Sequence, residues 1–376
     1  MFFMKKLNLQ KLRSGIDSIA KIDLDEGNVF GSSYLVSQCG EIVYRKNFGY
    51  TDAESTKDVT DKTIYRLASM TKPITAIAIL ILCDRGIINL TDLVSEYIPE
   101  IKDIHIIDEN GKDLGKPENE MIIHHLLSHT SGFGGVFPLK QSKEDKETVD
   151  SWVKYFIRKG LAYDPSTKQA YSATAAFDLL VKIAMKVTGE DFEAFLKREV
   201  FAPCGMKDTT FMPSKEQWSR IISMHDNKDG KNINADMIQG CVFGDFPATH
   251  MLGGAGLVST IDDYYRFTLM LLNKGETPKA RILSEEMLEN MCKPWVNKEL
   301  MGNRPDSWGL GVRVVTKCDH RLPQGSFGWS GAYGSHFWVD PENKITAIFM
   351  KNSKIDGGSG NNSANRFEQA VFESLE

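Results

Sequence analysis

The run Pro73-Ile74-Thr75-Ala76-Ile77-Ala78-Ile79-Leu80-Ile81-Leu82 constrains this chain more than any other stretch. Its one hydroxyl aside, it is apolar throughout, so a helix over about 70–85, ending near Gly86, is buried on nearly every side. A chain of 376 residues, 41% apolar and 25% charged, can build a core around such a helix. Proline is tolerated in a helix's first turn, so Pro73 puts the preceding Ser69-Met70-Thr71-Lys72 at or just before the N-terminus. There the free N–H groups and the positive end of the helix dipole stabilise an oxyanion.

Three-residue spacing stacks Ser69 and Lys72 on one helical face, within reach of each other. This makes Ser69 a candidate nucleophile and Lys72 the base beside it. For that role the amine must come down from its ordinary pKa of about 10.4 toward neutrality, through burial or a neighbouring cation or phenol. Ser-x-x-Lys alone is a weak signal. Ser18–Lys21 and Ser151–Lys154 match it as well, but they lie in amphipathic or surface-like helices and read as exposed residues.

Strand and helix patterns surround the apolar helix. Residues 6–21 place Leu9, Leu12, Ile16 and Ile19 at helical spacing, and Val29–Gln38 and Glu41–Gly49 read as strands joined at Cys39-Gly40. Helical patterns at 121–128, 148–160, 173–188 and 191–200 then alternate with polar loops such as Gln141–Thr148 and Asp226–Asp236. Strand signals return at Gly309–Lys317, Gly334–Asp340 and Lys344–Lys351, and a helix closes the chain. The expected fold is α+β, an antiparallel sheet flanked by helices. Residues 1–88 with 251–376 would form the discontinuous α/β domain and 89–250 an all-helical insertion.

Charge narrows the partners. A net charge of −5 with both signs interspersed provides no basic field for nucleic acid or an anionic membrane, so the expected partner is a small molecule. The six cysteines are scattered without a C-x-x-C pair and read as reduced thiols. The first residues lack the apolar stretch of a signal peptide, and no run is long enough to span a bilayer; a cytoplasmic location is expected.

Arg66-Leu67-Ala68-Ser69-Met70-Thr71-Lys72-Pro73 resembles the nucleophile segment of class C β-lactamases, D-alanyl-D-alanine peptidases and family VIII esterases. Leu126–Gly132, Pro203–Thr209 and Gly254–Thr260 resemble further landmarks of that superfamily in the same order, so the resemblance spans roughly residues 20–375. It implies a β-lactamase/transpeptidase-like fold and no cofactor or metal. Tyr171-Ser172-Ala173 stands where the family carries Tyr-x-Asn, which makes Tyr171 the second acid/base. Trp329-Ser330-Gly331 stands where the family carries Lys-Thr-Gly, which makes these three residues the substrate-binding strand. The backbone N–H groups of Ser69 and Ala332 would be the oxyanion donors. Ala173 removes an amide that would hold a β-lactam side chain, and Trp329 removes the cation that would hold a substrate carboxylate. Both departures point to a short-chain or neutral ester.

Other constellations read as structure. Gly325, Gly328, Gly331 and Gly334 precede a strand, where a dinucleotide fingerprint needs a strand before and a helix after. His124, His125 and His129 include an i,i+4 pair without the intervening Glu of a zinc helix, so hydrogen bonding of a helix end is the preferred reading. His336 and Trp338 alternate with Phe337 and Val339, so one pair faces away from the sheet's core side; the residues leave open which. The same motifs also fit a β-lactamase or D-alanyl peptidase, an acyltransferase, or a binding protein that kept the fold.

Overall fold

The computed structural model describes residues 4–135, 148–235, 246–248, 250–318 and 321–376. Its centre is a seven-stranded antiparallel sheet. Two strands come from the start of the chain, β1 (Gly31–Gln38) and β2 (Glu41–Gly49). Five come from the end: β3 (Asp306–Trp308), β4 (Arg313–Val315), β5 (Phe327–Ser330), β6 (Gly334–Asp340) and β7 (Ile345–Asn352). Their spatial order is β2-β1-β7-β6-β5-β4-β3, so the first and last strands pair, with Tyr34 opposite Phe349.

Side-chain alternation divides the sheet into two faces. Tyr34, Val36, Trp338, Ala347 and Phe349 pack on one face with Leu12, Ile16 and Ile19 of helix α1 (Leu9–Asp25) and with Phe367 near the chain's end. Leu35, Phe337, Val339, Ile348 and Met350 turn to the other face, toward helix α2 (Thr71–Asp84). Every residue from Thr71 to Leu82 is buried, as the apolar run requires. Beyond α2 lie α3 (Val149–Lys159) and α4 (Ala175–Thr188), and α4 packs directly on α2. Helices α5 (Ile261–Leu272) and α6 (Asn362–Glu373) complete the layers, one against each face. Among the described residues no helix is long and apolar enough to cross a membrane.

Two expectations need correction. Gly309–Lys317 is a strand only over Arg313–Val315. Gly309 sits so close to Met291 that a Cβ would lie 2.2 Å from its carbonyl, and Gly311 adopts φ 79° against Ala76, so tertiary contact bends this stretch. The polar segment after Asp226 is no loop but a hairpin, His225–Lys228 with Lys231–Asn234, turned by Asp229 and Gly230 at positive φ. Phe327–Ser330, which carries Trp329 and Ser330 of the expected substrate-binding strand, is a strand between β6 and β4. Residues 141–147 of the expected Gln141–Thr148 loop lie outside the described residues.

Candidate active site

Ser69 lies in a single tight turn, Ala68–Met70, that leads into α2. Ala68 takes φ 46°, a conformation disfavoured for any residue with a Cβ, so the turn is held from outside. The holders belong to the segment around Gly254–Thr260. Leu67 N–H donates to the Leu257 carbonyl at 2.9 Å, and Leu257 N–H donates to Thr71 Oγ1 at 3.1 Å. Tyr264 Oη donates to the Met70 carbonyl at 2.9 Å.

Lys72 is fully buried. Its Nζ donates to the Ala173 carbonyl at 2.6 Å and the Gly254 carbonyl at 2.8 Å, and stands 3.4 Å from Ser69 Oγ. It also lies over the rings of Tyr171 and Phe177, 4.9 and 5.1 Å from their centroids. Burial lowers its pKa; the Tyr171 phenol and the buried Asp178 carboxylate act in the opposite direction. Asp178 is held by the Gly253 N–H at 2.8 Å and faces His250 Nε2 at 3.4 Å.

Tyr171 belongs to an aromatic box. Its ring stacks on Trp308 with centroids 5.7 Å apart and lies 4.6 Å from His129 and 5.4 Å from Trp329. Trp329 Nε1 donates to the Tyr171 hydroxyl at 3.2 Å. The Leu126–Gly132 landmark and the residues after it clamp this segment. Gly135 N–H donates to the Tyr171 carbonyl at 3.1 Å, and Ser172 N–H donates to His129 Nδ1 at 3.1 Å. His129 is completely buried, and burial, helped by the Lys72 cation, drives its imidazole well below the usual range. It therefore stays neutral and supports the loop. His125 Nδ1 accepts from Ile122 N–H at 3.3 Å and His124 packs on Trp295, so the histidines serve separate local contacts. Among the described residues no three His, Cys, Asp or Glu side chains gather as a metal-ligand set.

The strand β5 passes beside the Ala68–Met70 turn. A Cβ on Gly331 would lie 2.5 Å from the Leu67 carbonyl, so only glycine allows this approach. Trp329 faces the box, and Ala332, exposed, follows at the tip of the β5–β6 turn. Ser330 is different. Its hydroxyl points to the opposite sheet face, where it meets His336 Nδ1 at 2.8 Å, so its side chain does not line the Ser69 site. His336 shares that back face and donates away from the site, toward Glu368. The Arg66 guanidinium donates to the Ile222 carbonyl at 2.9 Å and covers Trp218.

Sequence reasoning missed Trp308, Asp178 and the two carbonyls that hold Lys72. Trp308 lies in a stretch without a motif. Gly254 carried a signal: a Cβ there would lie 2.7 Å from the Ala173 carbonyl and 3.1 Å from Lys72 Nζ, so its glycine marks the space the amine occupies.

Comparison with known proteins agrees with this architecture. The Beta-lactamase family model matches residues 16–370. Esterase EstB of Burkholderia gladioli is 27% identical over 387 residues, covering 94% of each chain. Penicillin-binding protein 4* of Bacillus subtilis is 29% identical over 367 residues, covering 94% of this chain and 73% of that one. The structure of EstCE1, described as a hydrolase with promiscuous acyltransferase activity, superposes with a TM-score of 0.80 at 22% identity, covering 97% of this chain and 99% of that chain. At that identity it speaks for the fold alone. With its β-lactamase/transpeptidase-like fold and a match over nearly its whole length, the chain belongs to the Beta-lactamase family of serine hydrolases.

Proposed function

We propose that this protein is a carboxylic ester hydrolase for short-chain or neutral esters, working through an acyl-enzyme on Ser69. The observation that carries the reading is the environment of Lys72. A neutral amine has two N–H bonds and one lone pair. The carbonyls of Ala173 and Gly254 take the two hydrogens, which leaves the lone pair for the Ser69 hydroxyl 3.4 Å away. Lys72 then takes the proton as Ser69 attacks the ester carbonyl, and the N–H groups of Ser69 and Ala332 receive the oxyanion. Tyr171 protonates the leaving alkoxide, its oxygen oriented by the Trp329 indole. Water then attacks the acyl carbonyl and gives its proton to the Tyr171 phenolate, and Lys72 returns the proton it holds to Ser69 as the acid leaves.

The preference for a neutral ester rests on Trp329. Where a cation would bind a substrate carboxylate, an indole packs against Tyr171 and Trp308, and the lining it offers is apolar. EstB, similar over nearly the whole chain, bears the name esterase, which supports the same reading. The test is hydrolysis of p-nitrophenyl acetate and butyrate beside nitrocefin, by the protein and by Ser69→Ala. Ester turnover that disappears in Ser69→Ala is the expected result. Turnover that survives the substitution, or nitrocefin cleaved faster than either ester, overturns it.

A further inference from the structure

We propose that Ser330, His336 and Glu368 form a buried staple that holds the β5–β6 turn, and with it the Ala332 N–H, in place beside Ser69. The inference rests on Ala332 being an oxyanion donor. Ser330 and His336 are the last paired residues before the turn, directly opposite each other in the register. Their side chains close the ladder: Ser330 Oγ and His336 Nδ1 are 2.8 Å apart. His336 Nε2 then meets Glu368 Oε1 at 3.0 Å, on α6. Above this bond the turn is short, with Gly331 N–H donating to the Ser335 carbonyl at 2.7 Å and Gly334 N–H to the Gly331 carbonyl at 3.0 Å. Ala332 is its exposed tip.

The chemistry assigns each proton. Burial alone would raise the Glu368 carboxyl, but the His336 bond and charge and the Arg313 guanidinium hold it down to about 2. As a carboxylate it only accepts, so His336 Nε2 carries hydrogen. The other ring nitrogen, Nδ1, pairs with the Ser330 hydroxyl. Arg313 Nη2, at 2.8 Å from Glu368 Oε1, ties the adjacent strand to the same carboxylate. A Ser-His-Glu series resembles a second nucleophile, but Ser330, His336 and Glu368 are 4%, 2% and 2% exposed, and they lie on the sheet face away from Ser69. No ester reaches them. What this face can do is set the geometry of the other. Buried polar groups contribute little net stability and define direction well, which is what an oxyanion donor requires.

These are positioning residues, and the test separates position from stability. In Ser330→Ala the expected result with p-nitrophenyl acetate is a fall in kcat of about ten-fold or more, with KM within about two-fold, read at a temperature below the melting point, which the unpaired buried His336 nitrogen lowers. Ser330→Thr, which keeps the hydroxyl, restores kcat. The loss is smaller on the matching thiono ester, whose sulfur takes little from N–H donors. An unchanged kcat in Ser330→Ala, or equal losses on both esters, overturns the staple. Ala332→Pro, checked for folding by its melting temperature, separates the two readings. If it lacks oxyanion stabilisation while Ser330→Ala is fully active, the staple alone fails. If folded Ala332→Pro is fully active, the oxyanion reading fails and the staple with it.

Discussion

At the residue scale the proposed chemistry centres on Lys72. Burial depresses its pKa, so the free amine exists at pH values where an exposed lysine is still charged. In the proposed mechanism the base is the deprotonated form. Activity is therefore present above the lowered pKa and lost as pH falls through it. Asp178 works against burial by favouring the cation. Asp178→Asn keeps an oxygen for the Gly253 N–H and removes that charge, so the acid limb of kcat/KM is expected to move to lower pH. An acid limb that stays in place or moves upward counts against Lys72 as the titrating base.

At the scale of elements, close approach matters more than side-chain chemistry. Gly331 lets the end of β5 approach the Leu67 carbonyl, and Gly254 lets its turn approach both Ala173 and Lys72. Adding one methyl at Gly254 pushes against a backbone carbonyl at 2.7 Å and the Lys72 amine at 3.1 Å. Gly254→Ala is expected to cost about 1–3 kcal/mol in chemical denaturation, as overpacking does, and to lower kcat by at least about 100-fold because Lys72 loses its seat. A variant of ordinary activity shows that the amine has room to spare.

Across the whole molecule, the two ends of the chain fold together. Strand β1 pairs with β7, and α1 packs on α6. Lys351 of β7 is buried at this seam, with Asp356 Oδ2 at 3.2 Å and Ser363 Oγ at 3.0 Å; Ser363 Oγ in turn reaches Asp23 Oδ1 of α1 at 2.9 Å. Burial lowers the Lys351 pKa and raises that of Asp23, while the two charges favour each other's ionised forms. Lys351→Met leaves Asp356 without its ion-pair partner and takes a cation from Asp23, at an expected cost of about 3–5 kcal/mol. Urea denaturation measures it, and a midpoint equal to that of the parent protein contradicts the assignment.

Periodicity by itself determined the antiparallel sheet, the buried helix α2 and the pairing of Ser69 with Lys72, because alternation and three-residue spacing are local properties of the chain. The ordered motifs carried Tyr171 and the β5 box as well. Only the tertiary structure decided what surrounds them. The acceptors that hold Lys72 come from residues 101 and 182 positions away, and a backbone carbonyl has the same chemistry whatever its side chain. Trp308 joins Tyr171 and Trp329 only because β3, β5 and the loop before α4 converge. Strand alternation separated His336 from Phe337, but the helix packed on each face decided which of them looks toward Ser69. The same packing turned Ser330 to the back of the sheet and kept Trp329 at the front.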